Sequence, residues 1–438
     1  MTAKAKVFEK QDFPPRFIEL KKQLIASDPE SRTRFKDAWD DLLGELAAMR
    51  KTIKEKGTDL IPQVEFADLD QVSPELIATI KTTGSVVIKN VVDDDEALAW
   101  KKSVKEYVAA NPTIPGFPEE NKQFFHMYWS KSQVKARAHA NVLASQKWMN
   151  SLYHAAPGTN NENPLDIPLA YADRLRIRQA GVQWLAHPPH IDGGAIERWE
   201  DLGFRHVYGE ILKGNWKAHD PYDLQARIHA KSNIYNRPGQ SSIFRTFQGW
   251  LAMSDTGPGE GTLQVFPNVT LSNAYLILRP FFRPIPTPVS DDPLDPKNWA
   301  FDISTPDFPG IFPQGDAFFG PRVSDESHPH LNVSETMVSV PHVKPGDMVY
   351  WHCDVIHSVE AEHRGNNDSS VMYIPAVPAT PQNTAYLEKQ KANFLNGAPP
   401  PDFPQNQGEI GFQYLGNDKD IVDPVGRRAM GLPVFASA

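Results

Sequence analysis

The segment His187-Pro188-Pro189-His190-Ile191-Asp192-Gly193-Gly194 sets imidazoles and a carboxylate close together. In extended backbone, residues i and i+2 point to the same face, so His190 and Asp192 can address one ion. Pro188 and Pro189 stiffen the approach, and Gly193-Gly194 lets the chain turn sharply afterwards. A further candidate ligand lies far downstream, in Gly346-Asp347-Met348-Val349-Tyr350-Trp351-His352-Cys353-Asp354-Val355-Ile356-His357. Here Pro345-Gly346-Asp347 is a turn feeding a strand. His352 and His357 have opposite strand parity, so only one faces an ion unless the chain bends between them. Cys353-Asp354-Val355-Ile356 can supply that bend, which favours His357. Two imidazoles and one carboxylate form the facial set of non-haem Fe(II) centres, which keep positions open for O₂. A zinc set of His187, His190 and His352 is the rival. Asp192 and the turn residues fit iron better, because structural zinc usually recruits cysteines. Against both stands the plain alternative, that these are ordinary core or surface residues among 14 histidines.

The elements that must position these residues change along the chain. Phe35, Trp39, Leu42, Leu43, Leu46, Met49 and Ile53 recur at helical spacing, and Gly57 can end that helix. Ser73-Pro74 is a capped helix start, and Ser85 to Val92 is a β-branched run expected to form a buried strand. Asp93 to Glu96 favour the start of another helix. Residues 1–112 are thus expected to be mainly helical. From Asp173 the pattern turns to short strands between turns: Arg174 to Gln179, Ser242 to Ser254, Gly261 to Phe266, Met337 to Val340, Asp347 to His352 and Ser370 to Ile374. Many short strands punctuated by Gly and Pro indicate a barrel or sandwich. A proline-dense, aromatic-rich insertion spans 280–345, and Thr380-Pro381 opens a last helix before a Pro-rich tail.

Composition bounds the remaining choices. The net charge of −9 argues against a general nucleic-acid binder, which needs a basic footprint. A single cysteine, Cys353, excludes an intrachain disulfide framework. The first ten residues contain no apolar leader-like run, and no run of 18 apolar residues occurs, so a cytoplasmic protein without a membrane span is expected.

Three segments in order resemble the double-stranded β-helix (jelly-roll, cupin-like) Fe(II)/2-oxoglutarate-dependent oxygenases: His190-Ile191-Asp192; Trp250-Leu251-Ala252-Met253-Ser254-Asp255 with Gly261-Thr262-Leu263; and Gly346-Asp347 to His357. The middle one is similar to the phytanoyl-CoA hydroxylase type of strand. More closely, His187 to Gly194, Phe247-Gln248-Gly249-Trp250, His357-Ser358-Val359-Glu360 and Tyr373-Ile374-Pro375-Ala376 resemble the DUF1479 group over nearly the whole chain. The resemblance implies one catalytic domain over residues 1–438, with a jelly-roll core at 173–376 and a C-terminal helix and tail at 377–438. It further implies Fe(II) held by His190, Asp192 and His357, with 2-oxoglutarate and O₂ as cosubstrates. The reaction would be hydroxylation, desaturation or cyclisation at an unactivated C–H bond, releasing succinate and CO₂.

Such enzymes hold the distal carboxylate of 2-oxoglutarate with a basic residue. Arg364, soon after His357, and Arg245, upstream of Trp250, are the two candidates. Arg174, Arg176 and Arg178 alternate along one strand face, either a solvated edge or a grip on an anionic substrate. Gln183 and Trp184 are candidate pocket residues, with core packing the simpler role for Trp184. The expected substrate is a small molecule, a carboxylate by this arginine pattern; the oligomeric state is not legible. A cupin-like metal enzyme without 2-oxoglutarate and a non-catalytic jelly-roll binding protein are the competing classes.

Overall fold

The computed structural model describes residues 11–25, 30–154, 163–237, 239–406 and 408–434. Residues 1–10, inspected above for a leader-like run, lie outside the described residues. The amphipathic stretch forms the helix Ser31–Lys56, which buries Phe35, Trp39, Leu42, Leu43, Leu46 and Ile53. Trp39 stacks on Phe282 at 4.3 Å and on Tyr275 at 5.3 Å between ring centroids, pinning the helix to the proline-dense region. Ser73 caps Pro74–Thr83 by accepting from the Leu76 N–H, and Asp93 caps Asp94–Ala110 by accepting from Asp95 and Glu96.

The strands are β1 (Gln63–Glu65), β2 (Ser85–Lys89), β3 (Gly116–Phe117), β4 (Phe124–Phe125), β5 (Leu175–Arg178), β6 (Phe247–Ala252) and β7 (Leu263–Val265). The proline-dense region adds β8 (Phe282–Pro284), β9 (Trp299–Phe301), β10 (Phe312–Gln314), β11 (Ala317–Phe319) and β12 (Val338–Ser339). Then follow β13 (Met348–His352), β14 (His357–Val359) and β15 (Ser369–Tyr373). The segment expected as one strand from Ser242 to Ser254 is strand only over β6; the strand expected from Ser370 to Ile374 forms one residue earlier at full length, and the other expected strands are shorter.

A large, mainly antiparallel sheet runs in the order β1-β2-β13-β6-β15-β5-β4-β3, with only β1 and β2 parallel. The helical N-terminal region therefore also supplies two strands to the central sheet. A second antiparallel sheet has the order β12-β7-β14. The His190 segment extends it, bridging His357 of β14 on one side and Arg322 on the other. Within the proline-dense region, β8 pairs with β9 and β10 with β11 as two small hairpins. Gly346, at φ +90°, makes the turn into β13; a Cβ there would meet the Val92 carbonyl oxygen at 2.0 Å, so no other residue fits.

The helix Pro381–Leu395 is capped by Thr380 as expected. The segment after it is not a loose tail. Glu409 is buried and accepts from the Tyr128 N–H and the Tyr107 hydroxyl, each at 2.6 Å. Among the described residues, no helix is long and apolar enough to cross a membrane.

A buried ion cluster ties the two halves of the His190–His357 region together. Arg198 donates to the Asp192 carbonyl and to Asp354 Oδ1, each at 2.8 Å, while Arg227 donates to Asp354 Oδ2. Burial alone would raise the Asp354 pKa, yet Arg227 and Arg198 hold it well below the usual carboxylate range. A depressed folded pKa contributes stability that is complete above the unfolded value of about 3.9 and is lost as pH falls through the folded one. Asp354→Asn should cost about 3–5 kcal/mol at neutral pH, because it leaves buried guanidiniums uncompensated. It should also shrink the loss of stability on acidification. Urea unfolding of both proteins at pH 7 and pH 3 checks both outcomes; equal acid sensitivity would contradict the assignment.

Candidate metal centre

Pairing of the two distant segments builds the site. The His190 and His357 backbones exchange both N–H···O=C bonds at 2.9 Å, so the two residues stand directly opposite each other. Residues so paired project their side chains to the same face, and the imidazole centroids lie 4.2 Å apart. The bend at 353–356 lets β13 end at His352 and β14 begin at His357. Asp192 joins them: its Oδ1 lies 3.6 Å from His190 Nε2 and its Oδ2 lies 3.4 Å from His357 Nε2.

The protonation pattern follows from the partners. His190 Nδ1 lies 2.7 Å from the Pro188 carbonyl oxygen, and His357 Nδ1 lies 3.0 Å from that of Val355. A carbonyl only accepts, so each Nδ1 carries a proton, and in the neutral ring the Nε2 facing Asp192 is then the nitrogen with the lone pair. Burial, then the neighbouring His357, pushes the His190 pKa down to about 4, which keeps it neutral near pH 7. Gln248, with its amide oriented to satisfy both neighbours, donates to Asp192 Oδ2 at 2.9 Å and accepts from Trp351 Nε1 at 3.2 Å. This is the outer shell that a metal site needs, with each candidate ligand held by a second group.

The three side chains open into a cavity of about 170 Å³ bounded by both sheets. Gln248, Trp250, Trp351 and Tyr373 come from the large sheet, and Leu263 and Val359 from the small one. Arg176, only 2% exposed, donates one Nη2 bond to the Gly261 carbonyl at 3.2 Å. Its Nε and Nη1 have no partner among the described residues. Arg174 is paired with Asp173 at 2.9 Å and lies between the Phe124 and Phe403 rings, 4.8 Å from each. β5 lies between β15 and β4, so these arginines are not on a solvated edge. Arg178 spends its guanidinium on the carbonyls of Val182, Glu360 and Ala361.

Of the two arginines expected to grip a distal carboxylate, Arg245 lines the cavity. Arg364 does not: its side chain is 74% exposed and pairs with Glu362, because it follows β14 in a surface turn. Gln183 is exposed outside the cavity. Trp184 is buried behind it, donating its indole N–H to His187 Nδ1 at 2.8 Å. That bond places the proton of neutral His187 on Nε2, and His187 itself borders the cavity. His352 is no partner for a zinc set with His187 and His190; it is buried against the Tyr153 hydroxyl at 2.6 Å, away from the cavity.

Sequence reasoning missed Gln248, Arg237 and Phe403. For Gln248 a signal existed, a polar side chain inside the apolar run Phe247 to Met253; for the other two, in irregular backbone, none did. Gln248→Leu should weaken metal binding by about 10–100-fold, as loss of an outer-shell partner does. Titration with Fe(II) or Mn(II), beside an unchanged unfolding midpoint, checks this.

Comparison with known proteins agrees over nearly the whole length. The Gig2-like family model matches residues 11–432. YbiU of Escherichia coli (strain K12) is 31% identical over 430 residues, covering 95% of this chain and 96% of that protein. The crystal structure of GlcNAc Inducible Gene 2, GIG2 (DUF1479), from Candida albicans superposes with a TM-score of 0.84 at 34% identity, covering 99% of this chain and 92% of that one. A hypothetical protein of Escherichia coli superposes at 0.78 with 30% identity, covering 97% of this chain and 100% of its own. The chain belongs to the Gig2-like (DUF1479) family.

Proposed function

We propose that the protein is a non-haem Fe(II)/2-oxoglutarate-dependent oxygenase acting on an unactivated C–H bond of a small molecule, with release of succinate and CO₂. One observation carries the reading: His190 Nε2, His357 Nε2 and the Asp192 carboxylate converge in a cavity that also holds the half-unpartnered guanidinium of Arg176. The donor set suits Fe(II) and leaves positions open on the cavity side. The two unpartnered nitrogens of Arg176 suit a carboxylate, onto which a guanidinium forks two bonds. Arg176 would then hold the distal carboxylate of 2-oxoglutarate, a role first expected of Arg245 or Arg364.

The path of the chain supports the same reading. From β5 onward it passes between large and small sheets in turn, through the His190 segment, β6, β7 and β12, β13, β14 and β15. That winding is the one expected of a double-stranded β-helix, with the chain acting as a single catalytic unit. Bound Fe(II) and 2-oxoglutarate would supply the O₂ activation and the oxidising power. The protein's own residues do the rest. Gln248 holds Asp192 toward the two imidazoles, and the Pro188 and Val355 carbonyls fix both tautomers. Trp250, Trp351 and Tyr373 add aromatic surface to a wall that arginines otherwise make polar. The single cysteine fits a reducing, cytoplasmic setting.

Anaerobic addition of Fe(II) and 2-oxoglutarate should give a visible charge-transfer band, absent in Asp192→Ala. Arg176→Gln should raise the 2-oxoglutarate concentration needed for the band by about tenfold or more, one to two lost charged hydrogen bonds, while Arg364→Gln should leave it unchanged. No band from the folded wild-type protein would overturn the proposal. Metal binding without a response to 2-oxoglutarate would favour a cupin-like enzyme instead.

A further inference from the structure

The cavity carries more positive charge than iron and 2-oxoglutarate can use. Its walls present four guanidiniums, Arg174, Arg176, Arg237 and Arg245, against two carboxylates, Asp173 and Asp192. On the wall itself guanidiniums thus exceed carboxylates by two, while the buried Glu197 and Asp402 behind it act on Arg237 and Arg245. A divalent metal and a doubly ionised 2-oxoglutarate cancel each other, so the excess is the same in the loaded site.

The geometry shows where that excess resides. Arg174 is already neutralised by Asp173, and Arg176, with two nitrogens unpartnered among the described residues, shares the cavity with the candidate metal ligands. Arg245 and Arg237 remain. Arg245 makes no hydrogen bond or ion pair among the described residues; its guanidinium lies 6.0 Å from the Tyr171 ring, on the cavity wall. Among the described residues the Arg237 guanidinium donates only to the neutral Gln240 amide, leaving Nε without a partner, and rests 4.3 Å over the Phe319 ring of β11. It also borders the opening formed by His187, Phe319 and Arg322. Both arginines act electrostatically on Asp192, so both lie near the metal position.

We infer that the substrate is a dianion, bound through its acidic groups by Arg245 and Arg237 while Arg176 retains 2-oxoglutarate. The assignment of Arg176 rests on the oxygenase reading; the anion site at Arg245 and Arg237 does not. Two guanidiniums on one cavity wall, neither in an ion pair among the described residues, favour two negative charges over one, and reject neutral molecules of the same shape. The Arg237–Phe319 contact places one of the two at the hairpin β10–β11, where an entering anion would first meet the site.

Sulfate, methyl sulfate and dimethyl sulfone share one tetrahedral shape and differ in charge, so they serve as probes. They are titrated calorimetrically into the anaerobic protein loaded with Fe(II) and 2-oxoglutarate. Sulfate should bind at least about tenfold more tightly than methyl sulfate, and the sulfone should not bind. Arg245→Gln and Arg237→Gln should each weaken sulfate binding about tenfold or more without removing the 2-oxoglutarate band, and Arg245→Lys should restore most of it. Equal binding of sulfate and sulfone, no sulfate binding, or wild-type sulfate binding in both glutamine variants would overturn the inference. So would loss of the 2-oxoglutarate band in Arg245→Gln, which would make Arg245 the cosubstrate grip. If the wild-type protein gives no band at all, the same titration is made on metal-free Arg176→Gln protein. Sulfate binding there that depends on Arg245 and Arg237 upholds the anion site while the oxygenase reading falls; its absence overturns the inference.

Discussion

The reciprocal backbone pairing of His190 and His357 is the constraint from which the site follows. Each imidazole belongs to a segment with no strong reason of its own to adopt one conformation. One is a proline-stiffened stretch and the other follows a tight bend. Once their N–H and carbonyl groups are exchanged at 2.9 Å, the side chains must leave the sheet on one face, and Asp192, two residues on, must turn toward them. Arg198 reinforces the same join, holding the Asp192 carbonyl with one end of its guanidinium and Asp354 with the other. A slip of one residue in either strand would send one imidazole to the opposite face.

Around that join the protein tolerates unusual electrostatics. The buried Asp354 is satisfied on both oxygens by arginines, as a buried carboxylate must be. Arg176 is a different case. Burying a guanidinium with two nitrogens unpartnered is costly unless something else completes it, and the cavity beside it is where a carboxylate fits. Among the described residues the Arg198–Asp354–Arg227 cluster leaves one guanidinium nitrogen, Arg227 Nε, without a partner, whereas Arg176 in the cavity wall leaves two.

Much of the local structure was legible in the chain because it rests on local rules. The stripe from Phe35 to Ile53 made one helix, Ser73 and Asp93 capped two others, and the strand-forming runs after Arg174 formed strands. The bend at Cys353 to Ile356 did move His357 onto a new strand. Strand ends were less legible. Ser242 to Phe244 look like the start of β6, yet they are held by Asp402 and Asn383 of the C-terminal region instead. Arg364 was a plausible grip by its place in the order of residues. Distance along the chain does not say whether a side chain after a strand points inward or into solvent.

By itself, then, the sequence determined the candidate ligands: His190 and Asp192 share a face because of the two-residue period of extended chain, and the donor types are ones that would suit iron. It also determined the family, since the motifs recur in order along nearly the full length. Only the tertiary structure decided which distant groups complete the site. Arg176 is buried because β15 and β4 flank its strand, Gln248 reaches Asp192 because β6 lies next to β13, and Phe403 arrives from a segment expected to be a tail. These are contacts between residues far apart in the chain, set by sheet order and packing, and no local pattern of residue types encodes them.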